Sequence, residues 1–483
     1  MADNSYTQDY DQQQITLLEE AFSTQKNADL KAPFPSASAR IADIKRIKKA
    51  IIDHENDIIV AMKKDFGHRS EDDTKFGDIL TTVLSANYAV NHIKGWMKPS
   101  KRHVNMLFQP AQAKVCYQPL GVVGIITPWN YPIFLALGPL ISALSAGNRA
   151  IIKMSEYTPA TNKVMCKLIH NTFSAEQVMI INGGVCVSSH FSNLAFDHII
   201  FTGSTITGKK VMAAAAKNLT PVTLELGGKS PVIIDENIAI DTAVERFILA
   251  KTLNSGQTCV APDYILCPEN KINQLIDSLK KRFNTMYPDI YHNEDYGCII
   301  NNAQCSRLQS LLSDAKQKGA NIHPLQESHA QQSTNESQRK IPLTVITNTS
   351  SDMTVMQEEI FGPLLPIIGY KKIEQAIAYV NDHPKPLALY LMSFDRTLQK
   401  HIIEQTKAGG VCINEAAFHV AQDDLPFGGI GDSGMGHYHG HEGFLSLSKA
   451  KPIFSRGKFS LGALIFPPYN KFVHRLIYRF FIR

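Results

Sequence analysis

A chain of 483 residues is too long for one ordinary core, so two or three packed units are expected. Hydrophobic residues make up 44% and charged residues 19%, with a formal charge of +5: a globular composition with no basic stripe pointing to nucleic acid. Eight cysteines without a Cys-x-x-Cys pair argue against a disulfide scaffold, and no apolar run reaches the roughly 18 residues of a membrane span.

Met1 to Gln14 is polar and acidic, without the cationic start and apolar run of a secretory leader. It reads as disordered, in a chain expected in the reducing cytoplasm. Ile15 to Phe66 has helical spacing, with Ile41, Ile44, Ile47, Ile51 and Ile52 on one stripe, and Pro33 and Pro35 break it. Lys75–Met97 continues as helix, and Ala111–Gln118 alternates as a strand crossing between units. A βα repeat follows. Strands are predicted at Val122–Thr127, Ala150–Met154, Val178–Ile181, His198–Thr202 and Val222–Leu226, with helices at Ile133–Ala146, Pro159–Thr172 and Thr205–Lys217. Continuous apolar strands joined by helical crossovers define a doubly wound, dinucleotide-type α/β domain. From Gly227 to about Gly410 a second α/β unit is expected, with helices at Ile240–Leu253 and Ala303–Lys318 and a strand at Leu387–Ser393. Gln326–Lys340 reads as a polar surface insertion, and Phe444–Ser448 as strand-like.

Several stretches carry chemistry. In Pro128-Trp-Asn-Tyr-Pro132, Asn130 is either a turn-former beside proline or an amide donor aimed at a developing oxyanion. Lys153 and Glu156 follow the second strand, at the end where open α/β sheets bind nucleotides. Phe201-Thr-Gly-Ser-Thr-Ile-Thr-Gly208 closes a strand and opens a helix. Gly203, Ser204 and Gly208 there suit a phosphate cradle, although the Gly-x-x-x-x-Gly spacing alone fits an ordinary tight turn. Glu225 puts a carboxylate inside an apolar strand end. It is either one half of an ion pair with a nearby lysine or an acid whose pKa burial raises toward that of a general base. Cys259, in Asn254-Ser-Gly-Gln-Thr-Cys-Val-Ala-Pro-Asp-Tyr264, sits in a turn between a helix and a strand, where a thiol is held firmly and still reached. Glu359 and Phe361 lie in Gln357-Glu-Glu-Ile-Phe-Gly-Pro363, and Phe418 and His419 in Glu415-Ala-Ala-Phe-His-Val420. His437, His439 and His441 alternate beside glycines and read as a loop, with no metal assigned. In the tail, Lys471, Arg475, Arg479 and Arg483 recur every four residues opposite Phe472, Leu476 and Phe480, a basic amphipathic helix. It either lies on a membrane surface or packs over the enzyme.

These motifs, in order from residue 119 to 436, resemble the aldehyde dehydrogenase superfamily. Val-Ala-Pro-Asp-Tyr after Cys259 looks most like its fatty- and aromatic-aldehyde branch, which includes coniferyl aldehyde dehydrogenases. The resemblance implies an aldehyde dehydrogenase-like α/β fold: a Rossmann-type cofactor domain (1–110 and 119–226), a second α/β catalytic domain (227–420), a small strand-built oligomerisation element (111–118 and 421–455) and a basic tail (456–483). It implies NAD(P)-dependent oxidation of an apolar aldehyde to the acid through a thiohemiacetal and a thioester on Cys259. Asn130 and the Cys259 N–H would hold the oxyanion, and Glu225 would activate water. Lys153 and Glu156 would hold the adenosine ribose. Gly203, Ser204 and Gly208 would flank the pyrophosphate, and Glu359 would hold the nicotinamide ribose. Phe361 and Trp129 would pack at the nicotinamide end. Tyr131, Phe134, Phe418 and His419 would line the substrate path. A carboxylate at 156 favours NAD, with NADP the alternative; Met154 stands where the family usually has proline. Relatives imply a homodimer. The rivals are a CoA-acylating enzyme, which usually lacks a base such as Glu225, and a non-catalytic scaffold, which should have lost the nucleophile or the base. Long aliphatic and coniferyl-type aldehydes both remain open as substrates.

Overall fold

Three sheets organise the computed structural model, which describes residues 7–327, 339–459 and 462–482. The first has six strands in the order Gly434–Met435, Val222–Leu226, His198–Gly203, Val122–Ile126, Arg149–Lys153 and Val178–Ile181. All but the first run parallel, and Gly434–Met435 pairs antiparallel on Glu225 and Leu224. The predicted strands and crossover helices recur to within a residue or two. Their unbroken apolar sequence has a physical reason. Val123, Ile125, Ile152 and Ile180 face one core, shared with the N-terminal helices and Phe134–Ala146, while Val122, Ile126, Ile151 and Ile181 face another on the opposite side.

The second sheet has seven strands, ordered Asn321–Pro324, Thr344–Thr347, Leu364–Tyr370, Tyr264–Pro268, Pro231–Ile234, Ala388–Met392 and Gly410–Ile413. It is parallel apart from Asn321–Pro324. The third is a small antiparallel sheet in which Gln112–Pro119 lies between Ser100–Arg102 and Ser448–Ser455.

Two sequence expectations are corrected. Met1–Gln14 is not disordered throughout: a helix runs from Gln8 to Lys31, capped by Thr7. The polar side chains at its start are used. Asp11 accepts from the Gly184 N–H and Gln14 from the Asn182 N–H, docking the helix on the loop after Val178–Ile181. Phe444–Ser448 is mostly helix, Gly440–Ser446, and the strand begins at Ser448. Phe444 is fully buried there, on the core beneath the first sheet. Most of the polar stretch Gln326–Lys340, and Arg483 of the tail, lie outside the described residues. Phe472–Phe481 is helical as predicted, with Phe472, Leu476 and Phe480 exposed. Among the described residues no helix is long and apolar enough to cross a membrane, and all eight cysteines are free thiols.

Candidate active site

Cys259 owes its position to a backbone that goes against local preference. Helix Ile240–Thr252 ends, and Asn254, Ser255 and Gly256 then take φ values of 50°, 55° and 76°. Two successive non-glycine residues in the left-handed region store strain that the surroundings must hold. Side chains do so. The Asp73 carboxylate accepts from the Asn254 N–H at 3.0 Å, and the Ser255 hydroxyl donates to the Gly297 carbonyl at 2.6 Å. Gly256 cannot be replaced, because a Cβ would lie 2.5 Å from the Gly362 carbonyl oxygen. The fully buried Gln257 donates to the Asn254 and Cys298 carbonyls and accepts from the Ile300 N–H. The turn before the thiol is therefore fixed from several sides.

Asn130 is locked into the same network. Its side-chain amide donates to the Gln257 carbonyl at 3.0 Å, leaving its second N–H, while its main-chain carbonyl accepts from Arg69 at 2.6 Å and from the Asn254 side chain at 3.1 Å. Arg69 is fully buried against Asp78, whose carboxylate also receives the Ile133 and Phe134 N–H groups. Sequence reading missed Arg69, Asp78 and Gln257. Gln257 lies inside the cysteine motif and could have been suspected, but nothing in sequence marks a lone Arg–Asp pair as the support of a distant loop.

Glu225 is buried, and neither carboxylate oxygen has a hydrogen-bond partner. The ion-pair reading fails: Lys229 instead pairs with Asp263 and caps the carbonyls of Val355 and Glu358. Burial alone pushes the Glu225 carboxyl well above the usual range. Cys259 faces it. Burial first, then the Glu359 and Glu225 carboxylates, raise the thiol to about 12, against the pull of the Cys259 and Val260 N–H groups on the sulfur. The thiol of the ligand-free enzyme is thus protonated at neutral pH. Alkylation of Cys259 in the ligand-free enzyme should accelerate about tenfold per pH unit from neutral to strongly alkaline pH. A plateau reached near neutrality in an iodoacetamide titration would contradict this.

Glu359 lies against the main chain of the other sheet. A Cβ on Gly227 would sit 1.9 Å from its Oε2, and the Gly228 N–H bonds its carboxylate. Burial first, then Asp263, raises the Glu359 carboxyl to about 8. Phe361 is held at φ 47°, and Trp129 meets its ring edge-on at 5.2 Å. Lys153 ends its strand almost fully buried, its Nζ on the Met154 carbonyl at 2.6 Å; burial lowers it to about 8 while Glu156 opposes. Ser204 caps helix Thr205–Ala216, and within that helix a Cβ on Gly208 would lie 2.5 Å from the Leu226 side chain, so the helix packs closely on the strand end. A parallel sheet with a capped βα turn, a buried lysine at the end of another of its strands and a carboxylate over bare glycine backbone fits a dinucleotide.

On the substrate side, the Tyr131 hydroxyl meets Thr258 at 3.0 Å with the Arg69 guanidinium over its ring, and Phe134 is buried edge-on to His439. Phe418 is half-exposed at 52%, so it does not line a buried wall. His419 turns inward, its Nδ1 3.5 Å from the Cys412 sulfur, and burial lowers it to about 4. Of the alternating histidines, His439 is buried and stacks on Phe427, while His441 stacks on Trp96.

Two parallel α/β sheets, with a partly buried thiol in electrostatic reach of an unpaired carboxyl and a nucleotide-type βα turn, describe an oxidoreductase that works through a covalent thiol adduct. The chain belongs to the aldehyde dehydrogenase family, whose model matches residues 5–453, and it is an NAD(P)-dependent enzyme acting on aldehydes. It is 48% identical over all 483 residues, 100% of both chains, to a "probable coniferyl aldehyde dehydrogenase" of Pseudomonas aeruginosa. A solved structure of Staphylococcus aureus AldH in a substrate-bound state matches with a TM-score of 0.90 at 39% identity, covering 96% of this chain and 99% of that one. A Mycobacterium tuberculosis aldehyde dehydrogenase complexed with NAD+ matches with a TM-score of 0.83 at 26% identity, covering 92% of each.

Proposed function

We propose that the chain oxidises coniferyl-type aryl aldehydes to their acids, with Cys259 as nucleophile, Asn130 and the Cys259 N–H as oxyanion donors and Glu225 as the base that activates water. The observation that carries the assignment is the buried, unpartnered Glu225 carboxyl acting on the Cys259 sulfur. The substrate class is supported by the name of the 48%-identical relative and by the aromatic side chains of Tyr131 and Phe134 beside the thiol turn.

The thiol gives its proton to solvent, and the sulfur attacks the aldehyde carbon as the adduct forms. Asn130, fixed by Arg69 and Asn254, donates its free N–H to the developing oxyanion. NAD(P), when bound, would supply the two-electron oxidant, a hydride acceptor, and Cys259 would then carry the product as a thioester. Lys153, Glu156, Ser204 and Gly203 would hold its adenosine half, with Gly208 giving the close helix packing. Glu359 with Phe361 and Trp129 would hold the nicotinamide half. Glu225, mostly protonated at rest, must release its proton to accept one from water, so turnover should rise with pH. Phe418 would stand at the outer mouth and His419 in the wall.

The test is a panel of coniferyl, benzyl and straight-chain aldehydes with NAD and with NADP, without CoA. Coniferyl aldehyde is expected to give the highest kcat/KM and NAD the higher turnover. A long-chain aliphatic optimum would overturn the substrate class, and a requirement for CoA would overturn hydrolysis.

We further propose a homodimer, with the small antiparallel sheet as its joining element, and a cytoplasmic enzyme whose tail touches an anionic membrane surface. The exposed Phe472, Leu476, Phe480 and Ile482 stand beside the cations Lys471, Arg475 and Arg479, the pairing that suits a headgroup layer. Full-length protein is expected to pellet with anionic vesicles and a form ending at Gly457 to stay in solution. Equal pelleting of the two, or retention of the tail only as a dimer contact, would remove the membrane reading.

A further inference from the structure

We infer that Tyr438 is a positioning residue for the hydrolytic half of the reaction, its hydroxyl being the second hydrogen-bond partner of the water that Glu225 activates. The inference rests on the reading of Glu225 as the base.

The placement follows from the backbone. Gly434–Met435 pairs with Glu225 and Leu224, which ties this stretch of chain to the strand that carries the base. The chain then turns at Gly436, φ 77°, and Tyr438 bridges to Phe427, its N–H bonding the Phe427 carbonyl at 3.1 Å. The ring lies beside Gly138, where a Cβ would come 3.7 Å from Cε2, and is perpendicular to the His439 ring at 4.7 Å. Tyr438 is 1% exposed, yet its hydroxyl has no partner. A buried hydroxyl left unpaired is costly, and so is a buried carboxyl with two bare oxygens. Both occur here, on segments joined by the Gly434–Glu225 pairing and with the charges of Glu225 and Cys259 felt at the phenol, and we place the three groups around one space. Burial first, then those two charges, holds the phenol well above its ordinary value, so it keeps its proton throughout and serves only as a hydrogen-bond partner.

A water in that space has two protons to place. Glu225 takes one as the water oxygen bonds to the acyl carbon, and the phenol oxygen accepts a hydrogen bond from the other. The lone pair then points at the carbon. The carbon–sulfur bond breaks, the acid leaves, and the proton taken by Glu225 passes to the sulfur, so Cys259 regains its thiol and Glu225 its free carboxylate. No electrons change hands in this half, and Tyr438 ends as it began.

The test is Tyr438→Phe in the full-length enzyme, with saturating aldehyde and NAD under rapid mixing. The expected result is a burst of reduced cofactor at the wild-type rate and amplitude, followed by a steady-state kcat lowered about tenfold or more. Added hydroxylamine, which attacks a thioester without an oriented water, should restore turnover. Folding should survive, since the change removes only an unpartnered hydroxyl. A kcat within twofold of wild type, or a burst that falls in parallel with it, would overturn the proposal. Glu225→Gln run alongside separates the two readings. Should Glu225→Gln stall and Tyr438→Phe turn over freely, Tyr438 alone is misassigned. Should Glu225→Gln turn over freely, the base itself is misassigned.

Discussion

Cys259→Ala is expected to produce no reduced cofactor from any aldehyde, with turnover falling by about 10⁴-fold or more, as nucleophile deletions do elsewhere. The loss should be chemical, not structural. Gln257, Asn130, Asn254 and Ser255 hold the turn through contacts that do not involve the thiol, so the melting temperature should stay close to wild type. Cys267, Cys298 and Cys305 are buried core thiols. An absorbance assay on the purified variant decides the point, and turnover near wild type would remove the thiol from the reaction.

Glu225→Gln should behave differently. The oxyanion donors and the thiol are intact, so a first turnover is expected, after which the enzyme stalls with kcat lowered about 10²–10⁴-fold. Stability should move the opposite way. Burial raises the Glu225 pKa in the folded state above its unfolded value. As pH rises past the unfolded value, the unfolded chain gives up the proton while the folded one keeps it, so the group erodes stability with rising pH. Glutamine has no such liability. The variant should therefore gain in melting temperature relative to wild type at about pH 8, with little gain at about pH 5. A pH-independent difference would contradict the burial of an unpaired acid. Activity and stability pulling apart at one residue is the behaviour expected of a base kept in an unfavourable place for function.

Much of this was legible in the sequence because the signals were local. Val122–Ile126, Arg149–Lys153 and His198–Gly203 are unbroken apolar runs because both faces of their sheet are covered, and that pattern needs no tertiary knowledge. Cys259, Glu225, Asn130 and Glu359 stood out through motif context; Asn130 bonds within the cysteine turn, and Glu359 and Glu225 act on the sulfur. What escaped was decided by distant contacts. The N-terminal helix starts at Gln8 because Asp11 and Gln14 find partners near residue 183, which a polar composition does not announce. Arg69 matters through the Asn130 carbonyl, 61 positions away. Tyr438 read as part of a histidine-rich loop, and only the pairing of Gly434 with Glu225 brings it to the site. The thiol's protonation state was equally hidden, since it depends on how closely Glu225 and Glu359 approach the sulfur.

The most direct measurement of the central claim is a mass analysis of Glu225→Gln mixed with NAD and coniferyl aldehyde, quenched in acid during the stall, digested and mapped. The account predicts an acyl group on the peptide carrying Cys259, raising its mass by that of the aldehyde less two hydrogens, in amounts matching the cofactor reduced. Reduced cofactor with no such adduct, or with the acyl group on another residue, would contradict it.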